Sequence, residues 1–171
     1  MRLLIAALAV AALVSPVFAQ HQQHQGPYAG LEQRAVKALS NQQIADLKAG
    51  RGMGYALAGE LNGYPGPLHV LELAEQLHLD AEQHQRVQQL METMKAEAVK
   101  VGDILIGQEQ ELDRAFAERT VSPSSLAALT AKIGETQGQL RAVHLKYHLI
   151  TAELLSRHQR HRYAQLRGYQ P

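Results

Sequence analysis

The chain reads Leu79-Asp80-Ala81-Glu82-Gln83 where its longest helical pattern begins, and that pattern continues to about Arg119. Asp80 can cap a helix because its carboxylate accepts a hydrogen bond from a free backbone N–H of the first turn. Gln83, three residues later, can bond back to the backbone of the capping residue and complete a capping box. The phrase therefore predicts the start of a long helix.

Apolar residues then recur at steps of three, four and seven, the spacing of a helix that packs along one face of another helix. They are Val87, Met91, Met94, Ala98, Val101, Leu105, Leu112 and Phe116. A second series follows Ser122-Pro123, a predicted cap and first helical residue. It comprises Leu126, Leu129, Ile133, Thr136, Leu140, Val143, Tyr147, Ile150 and Leu154. Two long helices joined by a short turn predict an all-α fold built on a long antiparallel hairpin.

The opening phrase occurs twice more, with Ser as the capping residue. One copy, Leu39-Ser40-Asn41-Gln42-Gln43, lies in the N-terminal part, and the other, Leu155-Ser156-Arg157-His158-Gln159, begins a short C-terminal helix. In every copy the Leu before the cap has the position of a hydrophobic staple. The predicted helix-start residues are Leu39, Ser40, Gln43, Leu79, Asp80, Gln83, Leu155, Ser156 and Gln159. The hairpin register brings the second and third copies together at its open end.

The first 19 residues have the pattern of a secretory signal peptide. Arg2 precedes an apolar run that is too short to span a bilayer, and Val17-Phe18-Ala19 has the small residues of a cleavage site. Cleavage after Ala19 would leave an exported protein with no membrane span. Because the chain has no Cys, it must be stabilised by a packed core, a bound metal or a partner chain.

The remaining chain divides into three parts. Residues 20–30 are a polar arm rich in His and Gln, which we predict to be disordered. Residues 31–66 contain short N-terminal helices and a Gly- and Pro-rich linker, and residues 67–168 form the main helical domain. The hairpin does not explain why the segment 50–67 contains so much Gly and Pro.

Composition and motifs exclude several classes of function. Loss of Arg2 leaves 16 basic and 16 acidic residues, so bulk charge indicates no nucleic-acid partner. The sequence contains no Gly-rich phosphate loop, no nucleophile elbow and no metalloprotease helix motif. We therefore expect a protein that is not an enzyme and requires no cofactor.

Leu-Thr-x-x-Gln phrases in a small exported helical protein are the signature of the Spy/CpxP family, and this chain resembles that family over roughly residues 67–168. The resemblance rests on Leu79–Gln83 and Leu155–Gln159, in which Asp80 and Ser156 replace the usual Thr. It implies a curved, antiparallel, all-α homodimer in the periplasm. It also implies either ATP-independent chaperone activity or envelope-stress and metal sensing, with unfolded clients or a sensor-kinase domain as partners.

A client-binding surface is predicted on the second long helix, away from its contact with the first. Leu145, Leu149 and Ala152 form a second apolar row there, bordered by the basic residues Arg141 and Lys146. A helix in a two-helix hairpin cannot bury two faces. The N-terminal helices, a second copy of the chain or a client would cover this row.

The alternative function is transition-metal binding. His144 and His148 are one helical turn apart, and the register brings them near Glu97 and Met94. Such a set would suit Zn, Ni, Co or Cu, unless both His are simply helix residues beside the hairpin contact. Met53, Met91 and Met94 do not form the Met-rich runs of a Cu(I) carrier.

Four glycines lie inside the two long helices. The register places Gly107 opposite Gly134 and Gly102 close to Gly138. Glycine in a helix interior costs about 1 kcal/mol relative to Ala. We therefore predict that these pairs allow the two helices to approach closely.

Overall fold

A computed structural model describes residues 26–169. A short 3-10 turn, Leu31–Gln33, precedes six helices: α1 (Asn41–Lys48), α2 (Leu57–Glu60), α3 (Pro67–Glu72), α4 (Ala81–Ala117), α5 (Pro123–Leu154) and α6 (Arg157–Leu166). The extended regular elements of this part of the chain are helices, which confirms the all-α class. The predicted signal peptide, residues 1–19, and residues 20–25 of the predicted arm lie outside the described residues.

Helices α4 and α5 are much longer than the others, with 37 and 32 residues. At 1.5 Å per residue they span roughly 55 Å and 48 Å. The side chain of Gln83 reaches the carbonyl of Leu154 at 2.9 Å, and Glu97 bonds to Tyr147 at 2.8 Å. Residue 83, near the start of α4, thus pairs with residue 154 at the end of α5, and residue 97 pairs with residue 147. The paired residue number falls along α5 as it rises along α4, so the two helices are antiparallel where they touch.

Complete capping boxes begin the four helices α1, α4, α5 and α6. Their capping residues are Ser40, Asp80, Ser122 and Ser156, each paired with the residue three positions later. The three Leu-[Ser/Asp]-x-x-Gln phrases therefore all start helices. Leu39 and Leu155 are buried before their caps, so the staple positions also contribute to the core.

The second and third phrases meet through their glutamines. Gln83 donates its side-chain amide to Gln159 Oε1 at 3.1 Å, and Gln159 donates back to Gln83 Oε1 at 2.9 Å. The other amide hydrogens are donated to backbone carbonyls, by Gln83 to Leu154 and by Gln159 to Leu77. Each Oε1 also accepts the backbone N–H of its own capping residue. Both amides of this glutamine pair thus use all four of their hydrogen-bonding positions.

The core is largely aliphatic and forms two clusters. The first joins the segment before α1 and α1 itself to α4 and α5, through Val36, Leu39, Leu47, Ala98, Leu105, Ile106, Ile133 and Leu140. The second surrounds the glutamine pair and contains Val70, Leu77, Val87, Leu155 and Tyr163. The N-terminal and C-terminal helices are therefore packed onto the two long helices.

The predicted glycine pairs are wrong. A Cβ atom added to Gly107, Gly134 or Gly138 would meet nothing within 4 Å, so no close helix approach occurs there. A Cβ on Gly102 would lie 2.9 Å from the carbonyl oxygen of Leu47. Gly102 therefore makes room for α1, which the register of the two long helices alone could not indicate.

Among residues 26–169, no helix combines the length and the apolar character that crossing a membrane requires.

Candidate functional site

The Gly- and Pro-rich segment 59–66 lies against α5 at His148. The ring nitrogen Nδ1 of His148 is 2.7 Å from the carbonyl oxygen of Tyr64. A Cβ atom on Gly66 would be only 2.6 Å from His148 Nε2, closer than side-chain atoms approach one another. The missing side chain at residue 66 therefore makes room for the imidazole. This contact accounts for part of the unusual composition of the segment.

A buried carboxylate lies beneath this segment. Glu60 ends α2 and is only 5% exposed. Its oxygens accept hydrogen bonds from the Gly66 backbone N–H at 3.2 Å, from the Tyr169 hydroxyl at 3.0 Å and from the Tyr163 hydroxyl. Burial, followed by the bond to Glu60, raises the pKa of Tyr163 well above its usual range. Tyr163 therefore stays protonated and remains a donor.

Three basic side chains also approach Glu60. His69 Nδ1 lies 3.4 Å from Oε1, His148 Nδ1 lies 3.7 Å from Oε2, and Arg167 Nε lies 3.8 Å from Oε1. A buried carboxylate requires such partners because an unpaired charge in the interior is costly. The Glu60 cluster, defined as Glu60, His69, His148, Tyr163, Arg167 and Tyr169, links α2, α3, α5 and α6.

A cavity of about 570 Å³ opens beside the Glu60 cluster. The three methionines of the described chain, Met53, Met91 and Met94, line it together with His69 and His148. Two cations, Arg51 and Lys95, and the acid Glu60 also line it. We call this space the methionine cavity. It has the size of a small-ligand pocket and combines soft apolar walls with a few polar groups.

Exposed apolar side chains concentrate in the segment 53–68, part of which lines the methionine cavity. Of ten large apolar side chains that are exposed in the described residues, five lie between residues 53 and 68. They are Met53, Leu57, Leu61, Tyr64 and Leu68, and we call them the 53–68 patch. Met53, Leu57 and Leu68 also line the cavity. Clusters of exposed apolar groups, unlike scattered ones, mark binding surfaces.

The predicted client row on α5 is partly covered by the N-terminal segment. Ala152 is buried, and Leu145 is half-buried against Gly59 of α2. Leu149 remains 52% exposed beside Tyr64, and Arg141 and Lys146 are exposed. Of the three covers that the sequence left open, the N-terminal helices therefore occupy part of the row.

The predicted metal ligands are distributed over different environments. His144 is buried, and its ring stacks on Tyr55 with centroids 6.0 Å apart and planes at 7°. Burial, followed by the charge of His148, lowers the pKa of His144, so its ring is held neutral. Its Nε2 has no hydrogen-bond partner among the described residues. His144 thus packs as an aromatic core residue.

The carboxylate of Glu97 is engaged with α5. It accepts hydrogen bonds from Lys146 at 2.7 Å and from the Tyr147 hydroxyl at 2.8 Å. The bond from Lys146 is the main cause that lowers the pKa of Glu97. Met94 and His148 both line the methionine cavity. In residues 26–169, no group of three or more His, Asp or Glu side chains is arranged to hold a metal ion.

Sequence reasoning missed the residues at the centre of this site. Glu60 follows the apolar run Tyr55–Gly59, and an isolated acid beside a turn gives no sign of burial. Tyr163 and Tyr169 contact it from more than 100 residues away. The one usable signal was the turn-forming composition of residues 62–67, which marks a turn but not the residues that it contacts.

No family model, no curated protein and no solved structure shows significant similarity to this chain. The site therefore has to be interpreted from its own chemistry.

Proposed function

We propose that this protein is an ATP-independent chaperone or envelope-stress adaptor of the Spy/CpxP type, without enzymatic activity, that binds unfolded client segments. The observation that carries the proposal is the 53–68 patch around the methionine cavity. Its occupant would be an extended polypeptide segment with large apolar side chains. Leu149 and the basic residues Arg141 and Lys146 of the predicted row would extend this surface along α5.

Methionine is well suited to such a surface. Its side chain is flexible and polarizable, so it adapts to partners of different shapes, and promiscuous binding proteins use Met-rich surfaces for this reason. Met91 and Met94 line the cavity wall, and Met53 is 38% exposed at its mouth. A volume of about 570 Å³ accommodates one or two client side chains. Contact with only one or two side chains of the client favours reversible binding.

The cations at the cavity add a second component. Arg51 is exposed and bonded to Asp46 at 2.6 Å, and Lys95 is exposed on α4. Charged groups at the rim of a binding surface mainly accelerate encounter and discriminate between partners. We infer a preference for client segments that combine apolar and acidic residues.

We further propose that the protein acts in the periplasm as a curved homodimer, after removal of residues 1–19. Ile104 and Phe116 support a dimer, since both are large, apolar and more than half exposed on α4, outside the 53–68 patch. A periplasmic sensor-kinase domain is the other partner that this type of protein would bind.

The proposal is tested with the chain from Gln20 to Pro171 and a client that aggregates on dilution from denaturant, without ATP. We expect the protein to suppress light scattering, and Leu57→Ser/Leu68→Ser to lose most of this effect. The control is Tyr28→Ser/Leu126→Ser, which removes exposed apolar groups outside the patch.

Circular dichroism establishes that each variant is folded. Equal suppression by Leu57→Ser/Leu68→Ser and the parent would reject the patch as the client site. No suppression by the parent with any of several clients would reject the chaperone function itself.

A further inference from the structure

The fold brings together methionines that are distant in the sequence. Met53 follows α1, while Met91 and Met94 lie on α4, and no run of methionines connects them. In the structure all three line the methionine cavity. Thioether sulfurs are soft donors, and proteins use them for soft cations such as Cu(I). Three potential thioether donors therefore share one cavity, which the sequence spacing does not reveal.

Two imidazoles, those of His69 and His148, line the same cavity. His148 Nδ1 faces the carbonyl oxygen of Tyr64 at 2.7 Å. A carbonyl oxygen only accepts, so Nδ1 carries the hydrogen, and Nε2 is the ring nitrogen that a metal ion would take. His69 Nδ1 faces the Glu60 carboxylate at 3.4 Å, which has the same consequence for its Nε2. Metal-binding His residues are commonly held this way, by a carbonyl or carboxylate at the other nitrogen.

The charges around the cavity discriminate between classes of cation. Arg51 and Lys95 line the cavity and repel a divalent ion, while the charge of Glu60 is already opposed by Arg167 and two tyrosine hydroxyls. Neutral sulfur and nitrogen donors remain. Such a site favours a soft monovalent ion over Zn²⁺, Ni²⁺ or Co²⁺.

We propose that the methionine cavity binds one soft monovalent metal ion, Cu(I) or Ag(I), through Met53, Met91 and Met94, with His69 and His148 completing the donor set. This site differs from the predicted one, because His144 and Glu97 take no part. It does not depend on the client-binding proposal, since metal binding is measured on the protein alone.

The first experiment titrates Ag(I) nitrate, in chloride-free buffer, into the chain from Gln20 to Pro171 carrying ¹³C-labelled methionine methyl groups. These three methionines are the only ones in that chain, so each methyl resonance reports on one proposed donor. We expect all three resonances to shift and to saturate at one equivalent of Ag(I). Zn²⁺ should leave them unshifted. Unshifted resonances at saturating Ag(I) would overturn the proposal.

The second experiment measures affinity by calorimetry with Ag(I) and by chelator competition with Cu(I) under anaerobic conditions. Met91→Leu/Met94→Leu conserves apolar volume and removes two thioethers. We expect the affinity to fall at least about tenfold, because even residues that only orient a ligand contribute about 10- to 100-fold. The control His158→Ala/His161→Ala removes two exposed imidazoles of α6 and should bind like the parent.

An unchanged affinity in Met91→Leu/Met94→Leu would show that silver binds elsewhere and would overturn the site. Suppression of client aggregation is measured on the parent without metal, and silver affinity is measured without any client. Failure of the metal site and failure of the chaperone proposal can therefore be told apart.

Discussion

At Gly66, the absence of a side chain decides how the N-terminal segment contacts α5. The imidazole of His148 occupies the space that a Cβ would fill, and its Nδ1 bonds to the carbonyl of Tyr64. The same ring lies 3.7 Å from the Glu60 carboxylate and lines the methionine cavity. One glycine therefore permits the contact on which both the patch and the cavity depend.

We expect Gly66→Ala to destabilise the protein by about 1–3 kcal/mol, the usual cost of overpacking a well-filled site. Its methyl group would lie 2.6 Å from His148 Nε2 and 2.7 Å from Cε1. Urea denaturation measures the free energy of unfolding. Gly52→Ala is the control, because a Cβ there meets nothing within 4 Å.

Combining Gly66→Ala with His148→Ala should cost less than the sum of the two single changes, since the overlap disappears with the ring. Additive costs, or a Gly66→Ala variant as mild as Gly52→Ala, would contradict this account of the contact.

Glu109 of α4 is, like Glu60, a buried acidic residue. It is 8% exposed, and burial raises the pKa of its carboxyl group above the usual range. The unfolded chain releases this proton near pH 4.3, whereas the folded protein holds it to higher pH. The ionised group therefore opposes folding above its folded pKa, and this cost disappears as the pH falls below about 4.3.

We accordingly expect Glu109→Gln to melt at a higher temperature than the parent at pH 7.5, and the difference to shrink towards pH 4. Thermal denaturation followed by circular dichroism at several pH values measures it. Glu111→Gln removes an exposed carboxylate on the same helix and serves as the control. A stability difference that does not depend on pH would disprove this role of Glu109.

At the scale of the helices, one sequence phrase performs two different tasks. In α1, Gln43 completes a capping box and its helix start is exposed. In α4 and α6, Gln83 and Gln159 complete their boxes and also bond to each other and to backbone carbonyls. The phrase is local, yet two of its three copies also hold distant helices together.

We expect Gln83→Ala to destabilise the protein by about 1–3 kcal/mol more than Gln43→Ala, because it leaves buried partners of a hydrogen-bond network unpaired. Gln43→Ala loses only the interaction at its own cap, typically about 1 kcal/mol or less. Chemical denaturation of the two variants gives the comparison. Equal losses at the two positions would show that the glutamine pair adds nothing to capping.

For the whole molecule, the sequence correctly predicts the features that depend on interactions between residues close together in the chain. Capping residues and apolar spacing predict helices, so the all-α class and the helix starts followed from the chain. Helical spacing also groups Leu145, Leu149 and Ala152 on one face, but it does not reveal that α2 covers part of that face. The Glu60 cluster and the methionine cavity were missed because they join residues that lie far apart in sequence.

The proposed dimer is a prediction at this same scale. Light scattering coupled to size-exclusion chromatography should give twice the mass of the chain from Gln20 to Pro171. Ile104→Glu/Phe116→Glu should give the mass of one chain, because a charge on an apolar contact face must be desolvated on association. A parent that elutes as a monomer at micromolar concentration would reject the dimer.

The bond between Glu60 and Tyr163 spans 103 residues, and that between Glu60 and Tyr169 spans 109. Contacts so distant in sequence close large loops, and folds that depend on them form slowly. During synthesis, the residues of the 53–68 patch are made long before Tyr163 and Tyr169, whose bonds to Glu60 hold this segment in place. We therefore expect this surface to be the last part of the molecule to mature. Under the proposed function, a nascent chain could bind clients only after residues 163–169 have been made.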